Sequence, residues 1–346
     1  MHALLREERG ATLDELRGMV RAFGGEDGLS RADMLAYLHA KAEDIARLSR
    51  EIAQMRGRSE RIDNIAAAAS EAVDRGELAE ARRLLDSARE VQAELLRTPL
   101  ENNAALMERT AEIDLIEGKA EQAARTLSAA ADSFAALDLS EPAARRVDYG
   151  NRLFRHGERY GGAGLRLAAE MYRTARDALA RAERWVDWAK AQGSLGNALQ
   201  EQGTRTGGAE GAALLARAVT AYRAALEVFT RAAHPVEWAR TQNNLGNALQ
   251  EQGTRTGGAE GAVLLARAVD AYNAALEVRT RAAHPMDWAQ TQNNLGNALQ
   301  KQGTRIGGDD GTALLARAVD AYRKALEVRT RAAHPVDWAE TQNNLG

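Results

Sequence analysis

Cysteine is absent from the chain, which removes disulfides, thiolate nucleophiles and zinc-thiolate centres from consideration. Aromatic residues are scarce at 5% although hydrophobic residues reach 45%, so a core must be built mainly of Ala and Leu. Many small side chains favour closely approaching helices over a Val-rich sandwich of strands. Only five prolines interrupt 346 residues, which leaves long stretches free to be helical. Neither sign of charge dominates: 46 basic against 49 acidic residues give a net charge of −3, no global field for nucleic acid or an anionic membrane. No apolar run has signal-peptide or transmembrane length, and a cytoplasmic location is the expectation.

What the chain has in abundance is repetition. Asn243-Asn244-Leu245-Gly246-Asn247-Ala248-Leu249-Gln250 returns as Asn293 to Gln300, begins again at Asn343 and has a variant at Ser194 to Gln200. Such periodicity marks an array of equivalent units. The units divide the chain into residues 1–58, a helical cap or short coiled coil; 59–140, two helix hairpins; 141–190, a diverged copy; and 191–346, three fifty-residue copies plus the start of another.

Thr12-Leu13-Asp14-Glu15 and Ser30-Arg31-Ala32-Asp33 have the form of capping boxes that open helices. From Met34 the positions Leu38, Ile45, Leu48, Ile52 and Met55 follow steps of three and four, with Lys41 interrupting. Two roles stay open for this stripe, a coiled-coil dimer contact and a cap packed on the first repeat. Gly76 and Gly118 are expected at the turns of the two hairpins, followed by Ala81, Leu85 and Ala88, and by Ala123, Leu127 and Ala130. In the long copies Pro235, Pro285 and Pro335 are expected to open helices.

These spacings resemble the tetratricopeptide repeat. Leu245, Gly246 and Leu249, then Ala268, Tyr272, Ala275 and Leu276, match that family's packing positions, although about ten extra residues separate the halves relative to its 34-residue unit. The extra stretch, Gln252 to Gly261, is expected as a projecting loop or as lengthened helix ends. The phrase His284-Pro285-Met286-Asp287-Trp288, running on to Asn293-Asn294-Leu295, is similar to the kinesin light chain branch of the family. The resemblance implies an all-α, right-handed superhelical solenoid of antiparallel helix hairpins that binds peptide segments on its concave face. It also assigns Asn151, Asn197, Gln200, Asn243, Asn247, Gln250, Asn293, Asn297 and Gln300 to that face, as an amide ladder offering donors and acceptors to a peptide backbone. The opposing possibility, that some of these amides join neighbouring helices, stays open.

Trp238, Trp288 and Trp338 are expected to wedge between hairpins. His234, His284 and His334 are too far apart in sequence-equivalent places to share a metal, and no metal, cofactor or catalytic residue is expected. The glycines of residues 253–261 lack the Lys-Ser/Thr ending of a phosphate loop. Arg205, Arg255 and Arg305 are read either as a rim for an acidic partner or as solvated charges. The function expected is a non-enzymatic scaffold for a protein or peptide; the alternative is the sensor arm of a larger signalling or defence protein whose effector, a caspase-like protease or NTPase, lies elsewhere. Because Gly346 falls inside a first helix, the natural protein is expected to continue. Homodimer contacts through the N-terminal helices or the open C-terminal end remain open.

Overall fold

The structure, a computed structural model, describes residues 12–22, 25, 28–53, 78–137 and 140–346. Among these residues there are thirteen α-helices and no strand. The chain divides into two compact units, Met1–Leu167 and Ala168–Gly346.

The first unit begins with α1 (Leu13–Ala22) and α2 (Arg31–Ala53). Both open as the sequence predicts. The Thr12 backbone N–H donates to Glu15 Oε2 at 2.7 Å and Glu15 returns a bond to Thr12 Oγ1; Ser30 and Asp33 pair likewise. These bonds hold the Glu15 carboxyl below its ordinary range, the Thr12 N–H contributing most. Leu16 and Val20 of α1 bury against Met34, Tyr37 and Leu38 of α2, so the first part of the apolar stripe packs on the chain itself. The side chains of Ile45, Leu48, Ile52 and Met55 lie outside the described residues, as does Gly76.

Next come α3 (Leu78–Ile116), α4 (Ala120–Asp132), a 3-10 turn at Ser133–Ala136 and α5 (Glu141–Tyr160). Gly118, with φ of +80°, makes the expected turn between α3 and α4. Residues 78–116, however, form one helix running through Pro99, where two successive hairpins predicted an interruption. Arg97 clamps α3 to α5 with a two-pronged bond to Glu141 at 3.0 and 3.1 Å. Burial, together with the Glu108 carboxylate that accepts its proton, pushes the Tyr149 phenol up to about 12.

Helix α6 (Gly164–Arg181) leads into the second unit, which consists of the hairpins α7 (Trp185–Arg205) with α8 (Gly208–Val228), α9 (Pro235–Arg255) with α10 (Gly258–Leu276), and α11 (Pro285–Ile306) with α12 (Gly308–Leu326), followed by α13 (Pro335–Leu345). The extra residues lengthen the helices: only Thr256 and Gly257 separate α9 from α10. Gly208, Gly258 and Gly308 take φ near +60°, a conformation that costs L side chains about 1 kcal/mol or more. Pro235, Pro285 and Pro335 are the first residues of their helices.

Within each hairpin of the second unit a Tyr ring of the second helix packs directly against a Gly of the first. A Cβ at Gly246 would stand 2.6 Å from the Tyr272 ring, and Gly196 with Tyr222 and Gly296 with Tyr322 repeat the contact. Ala248, Ala268 and Ala275 fill the remaining space with no exposure. Between hairpins, Arg255 reaches back to the end of α7, donating to the carbonyls of Gly203, Thr204 and Thr206 at 2.7–2.8 Å. Arg305 does the same for Gly253 and Thr254 at the end of α9. A cationic fork at a helix C-terminus satisfies carbonyls that have no intrahelical partner and opposes the helix dipole. Two of the three arginines predicted as rim charges therefore cap helices; Arg205 pairs with Glu201 at 2.7 Å.

A Gly246→Ala substitution is expected to destabilise the second unit by about 1–3 kcal/mol through overpacking, read as a lower midpoint of thermal unfolding. Gly257→Ala serves as the control, because nothing lies within 4 Å of its added Cβ. Equal midpoints for both variants would reject the Tyr-on-Gly contact as the constraint.

Candidate functional site

The predicted ladder sits on the first helices of the hairpins, spaced at helical intervals that keep it on one side. Asn197 and Gln200 are on α7, Asn243, Asn247 and Gln250 on α9, and Asn293, Asn297 and Gln300 on α11. Asn151 belongs to α5 of the first unit and is half-buried.

These amides separate into two kinds. Asn243 is 6% exposed and Asn293 is fully buried. Asn243 Oδ1 accepts from the next hairpin's Thr291 Oγ1 at 3.1 Å and Asn294 Nδ2 at 3.4 Å; Asn293 Oδ1 accepts from Asn344 Nδ2 at 3.2 Å. A side chain enclosed in this way cannot meet a partner's backbone, so both residues join neighbouring helices.

Asn197, Asn247 and Asn297 are half-buried or exposed, and each is held from behind by the tyrosine that packs on the adjacent glycine. Tyr222 donates to Asn197 Oδ1 at 2.7 Å, Tyr272 to Asn247 Oδ1 at 2.8 Å and Tyr322 to Asn297 Oδ1 at 2.8 Å. In two of the three rungs a second donor arrives from the following hairpin, Asn244 Nδ2 on Asn197 and Asn294 Nδ2 on Asn247. Both lone-pair directions of those carbonyls are then occupied, and the amide N–H2 is left facing away as a donor pair. Gln200 and Gln300 accept longer bonds from the same tyrosines, at 3.2 and 3.4 Å. Gln250 does not, and its buried Oε1 has no protein partner among the described residues.

The sequence reading missed the tyrosines that orient the amides, and it missed Asn244 and Asn294 as links between hairpins. The constant interval from Asn to Tyr in every copy was the available signal. It also missed a second, buried contact: Arg279 Nη1 donates to Thr291 Oγ1 at 3.1 Å, and Arg329, 1% exposed, donates to Thr341 Oγ1 at 3.0 Å and to Gln290. Desolvation holds the Arg279 guanidinium below its ordinary value.

Trp188 and Trp238 pack at the edge of a cluster formed by Ala189, Ala225 and Phe229, in keeping with a wedge. His234, His284 and His334 each immediately precede a helix. Among the described residues, no group of three or more His, Asp and Glu is placed to hold a metal ion, and no helix is long and apolar enough to cross a membrane.

Burial pushes the phenols of Tyr222 and Tyr272 far above their ordinary value of 10.0 and that of Tyr322 to about 12. Below pH 10 a phenol is protonated in both folded and unfolded chains, so its contribution to stability is fully present. Above it, only the unfolded chain ionises readily, and stability falls as pH rises through the folded values. Alkaline titration should therefore show tyrosinate absorbance appearing together with loss of helical circular dichroism. Full tyrosine ionisation near pH 10 with helicity intact would contradict the buried, donating phenols.

No family model matches the chain, and no curated protein does. Solved structures do: a crystal structure of BtubC (BKLC) from P. vanneervenii at 22% identity and TM-score 0.43, covering 78% of this chain and 93% of that one. A second, from a Podosopora anserina kinesin light chain with nearly identical TPR-like repeats, has 20% identity and TM-score 0.38, covering 65% and 96%. The described residues are all-α, and those of the second unit form an array of helix hairpins repeated at intervals of fifty residues.

Proposed function

We propose that the second unit is a non-enzymatic scaffold that holds an extended segment of a protein partner along its first helices. The observation that carries this reading is the shared orientation of Asn197, Asn247 and Asn297, whose carbonyls are engaged by Tyr222, Tyr272 and Tyr322. Each rung thereby presents hydrogen-bond donors, and the acceptor best suited to them is a backbone carbonyl of the partner. Neighbouring helices pack roughly 8–10 Å apart, and an extended chain advances about 3.3 Å per residue, so one rung would meet about every third residue. Because an amide donor demands no charge, recognition of this kind reads backbone shape more than side-chain identity. Gln200, Gln250 and Gln300, one turn further along, extend the same face. Asn243 and Asn293 serve the reading indirectly by keeping successive hairpins in register.

The test uses peptides selected from a random display library against the full chain. Replacing Asn197, Asn247 and Asn297 together by Ala is expected to weaken a selected peptide by about 1 kcal/mol per lost bond, roughly fivefold each. Ester substitution of the contacted peptide bonds should weaken the wild-type complex by a similar amount. An unchanged affinity in the triple variant rejects the amide rungs, and failure to select any peptide rejects the scaffold.

A further inference from the structure

The first unit contains a cavity of about 540 Å³ lined from α2, α3, α4 and α5. That volume lies within the range of small-molecule sites, roughly 300–1,000 Å³. Its lining differs in charge from the rest of the protein. Lys41, Arg109, Arg152, Arg155 and Arg159 face only two carboxylates, Glu108 and Glu112. The walls thus carry a net charge of +3 with His156 neutral, in a chain whose net charge is −3.

The cations are arranged at different depths. Arg152, Arg155 and Arg159 follow steps of three and four along α5, which brings them to one side of the helix. Arg152 is held by Glu108 at 2.6 Å and Arg109 by Glu112 at 3.0 Å, so these two are fixed in place. Arg155 and Arg159 are exposed; Arg159 stands 3.5 Å from Glu43 in a solvated pair, which contributes little and can be exchanged for another anion. At the inner end Lys41 is fully buried, its Nζ 2.7 Å from the carbonyl of Leu115 and 4.2 Å from the centre of the Tyr160 ring. His156 and Tyr160 place two rings beside it, 5.0 Å apart.

The geometry points to this cavity as a binding site for a compact phosphate ester of mononucleotide size carrying at least two adjacent phosphate groups. Guanidinium forks match the oxygens of phosphate two at a time, and a diphosphate concentrates about three negative charges in a space that an acidic peptide would need several residues to reach. The site belongs wholly to the first unit and does not depend on the amide rungs of the second.

Calorimetric titration of the full chain with inorganic pyrophosphate and with ADP tests the site, alongside a hexaglutamate peptide as competitor. Both phosphate probes are expected to bind, with affinity falling steeply as salt is raised. The double variant Arg155→Ala, Arg159→Ala should lose about tenfold or more while retaining helical circular dichroism, because both side chains are exposed; Arg205→Ala in the second unit should bind as the wild type does. The inference is overturned if neither phosphate probe binds at millimolar concentration, if the double variant binds equally well, or if hexaglutamate binds in preference to both.

Discussion

Each hairpin of the second unit depends on a ring placed where a β-carbon is missing. With an Ala at Gly246 the Tyr272 ring could not approach its present position, and the hydroxyl at the ring's far edge could not reach Asn247. One contact thereby joins packing to polarity: the ring supplies apolar area to a core otherwise made of Ala and Leu, and its hydroxyl fixes an amide at the surface. The ring is worth roughly 1.5–3 kcal/mol of burial, while the hydroxyl's bond contributes about 1 kcal/mol and avoids the larger penalty of an unsatisfied buried donor. The scarcity of aromatics then has a local meaning, because one well-placed Tyr per copy suffices when the neighbouring helix approaches this closely.

Most of the architecture was legible from the sequence because it rests on short-range rules. Gly118, Pro235, Pro285 and the two capping boxes act within a turn of their own position, and period-fifty repetition carried the hairpin assignment from one copy to the next. The fused helix at residues 78–116 was not legible, since a Pro such as Pro99 ordinarily ends a helix. For the candidate site, the sequence placed the amides on the first helices of the hairpins but could not tell Asn243 from Asn247. Both are Asn, one turn apart, in the same copied phrase. Whether such a side chain is enclosed or presented depends on where the following hairpin sets its Thr291 and Asn294, which is tertiary information. Arg255 was illegible for the same reason: its acceptors are carbonyls fifty residues earlier, which leave no mark on side-chain identity.

Near-identical copies would be expected to stack through identical joints, yet the joints differ. Phe229, 1% exposed, occupies the place that Arg279 and Arg329 take in the next two copies. Where the Phe stands, the joint is apolar, closed by Ala189, Ala225 and the Trp188 and Trp238 rings. Where Arg stands, the joint is a chain of bonds from the guanidinium through Thr291 to Asn243. Burying a guanidinium costs several kcal/mol unless its donors are matched, and an apolar replacement is often at least as stable; stability alone therefore does not explain the Arg. What the polar joint adds is direction, because Arg279 meets Thr291, and Thr291 in turn meets Asn243, in one register only. That register also sets Asn294 against Asn247, but the apolar Phe229 joint sets Asn244 against Asn197 in the same way, so the facing of these amides follows from the spacing of the hairpins and does not require the arginine. The presentation of the candidate binding face is in this sense decided by how the hairpins stack.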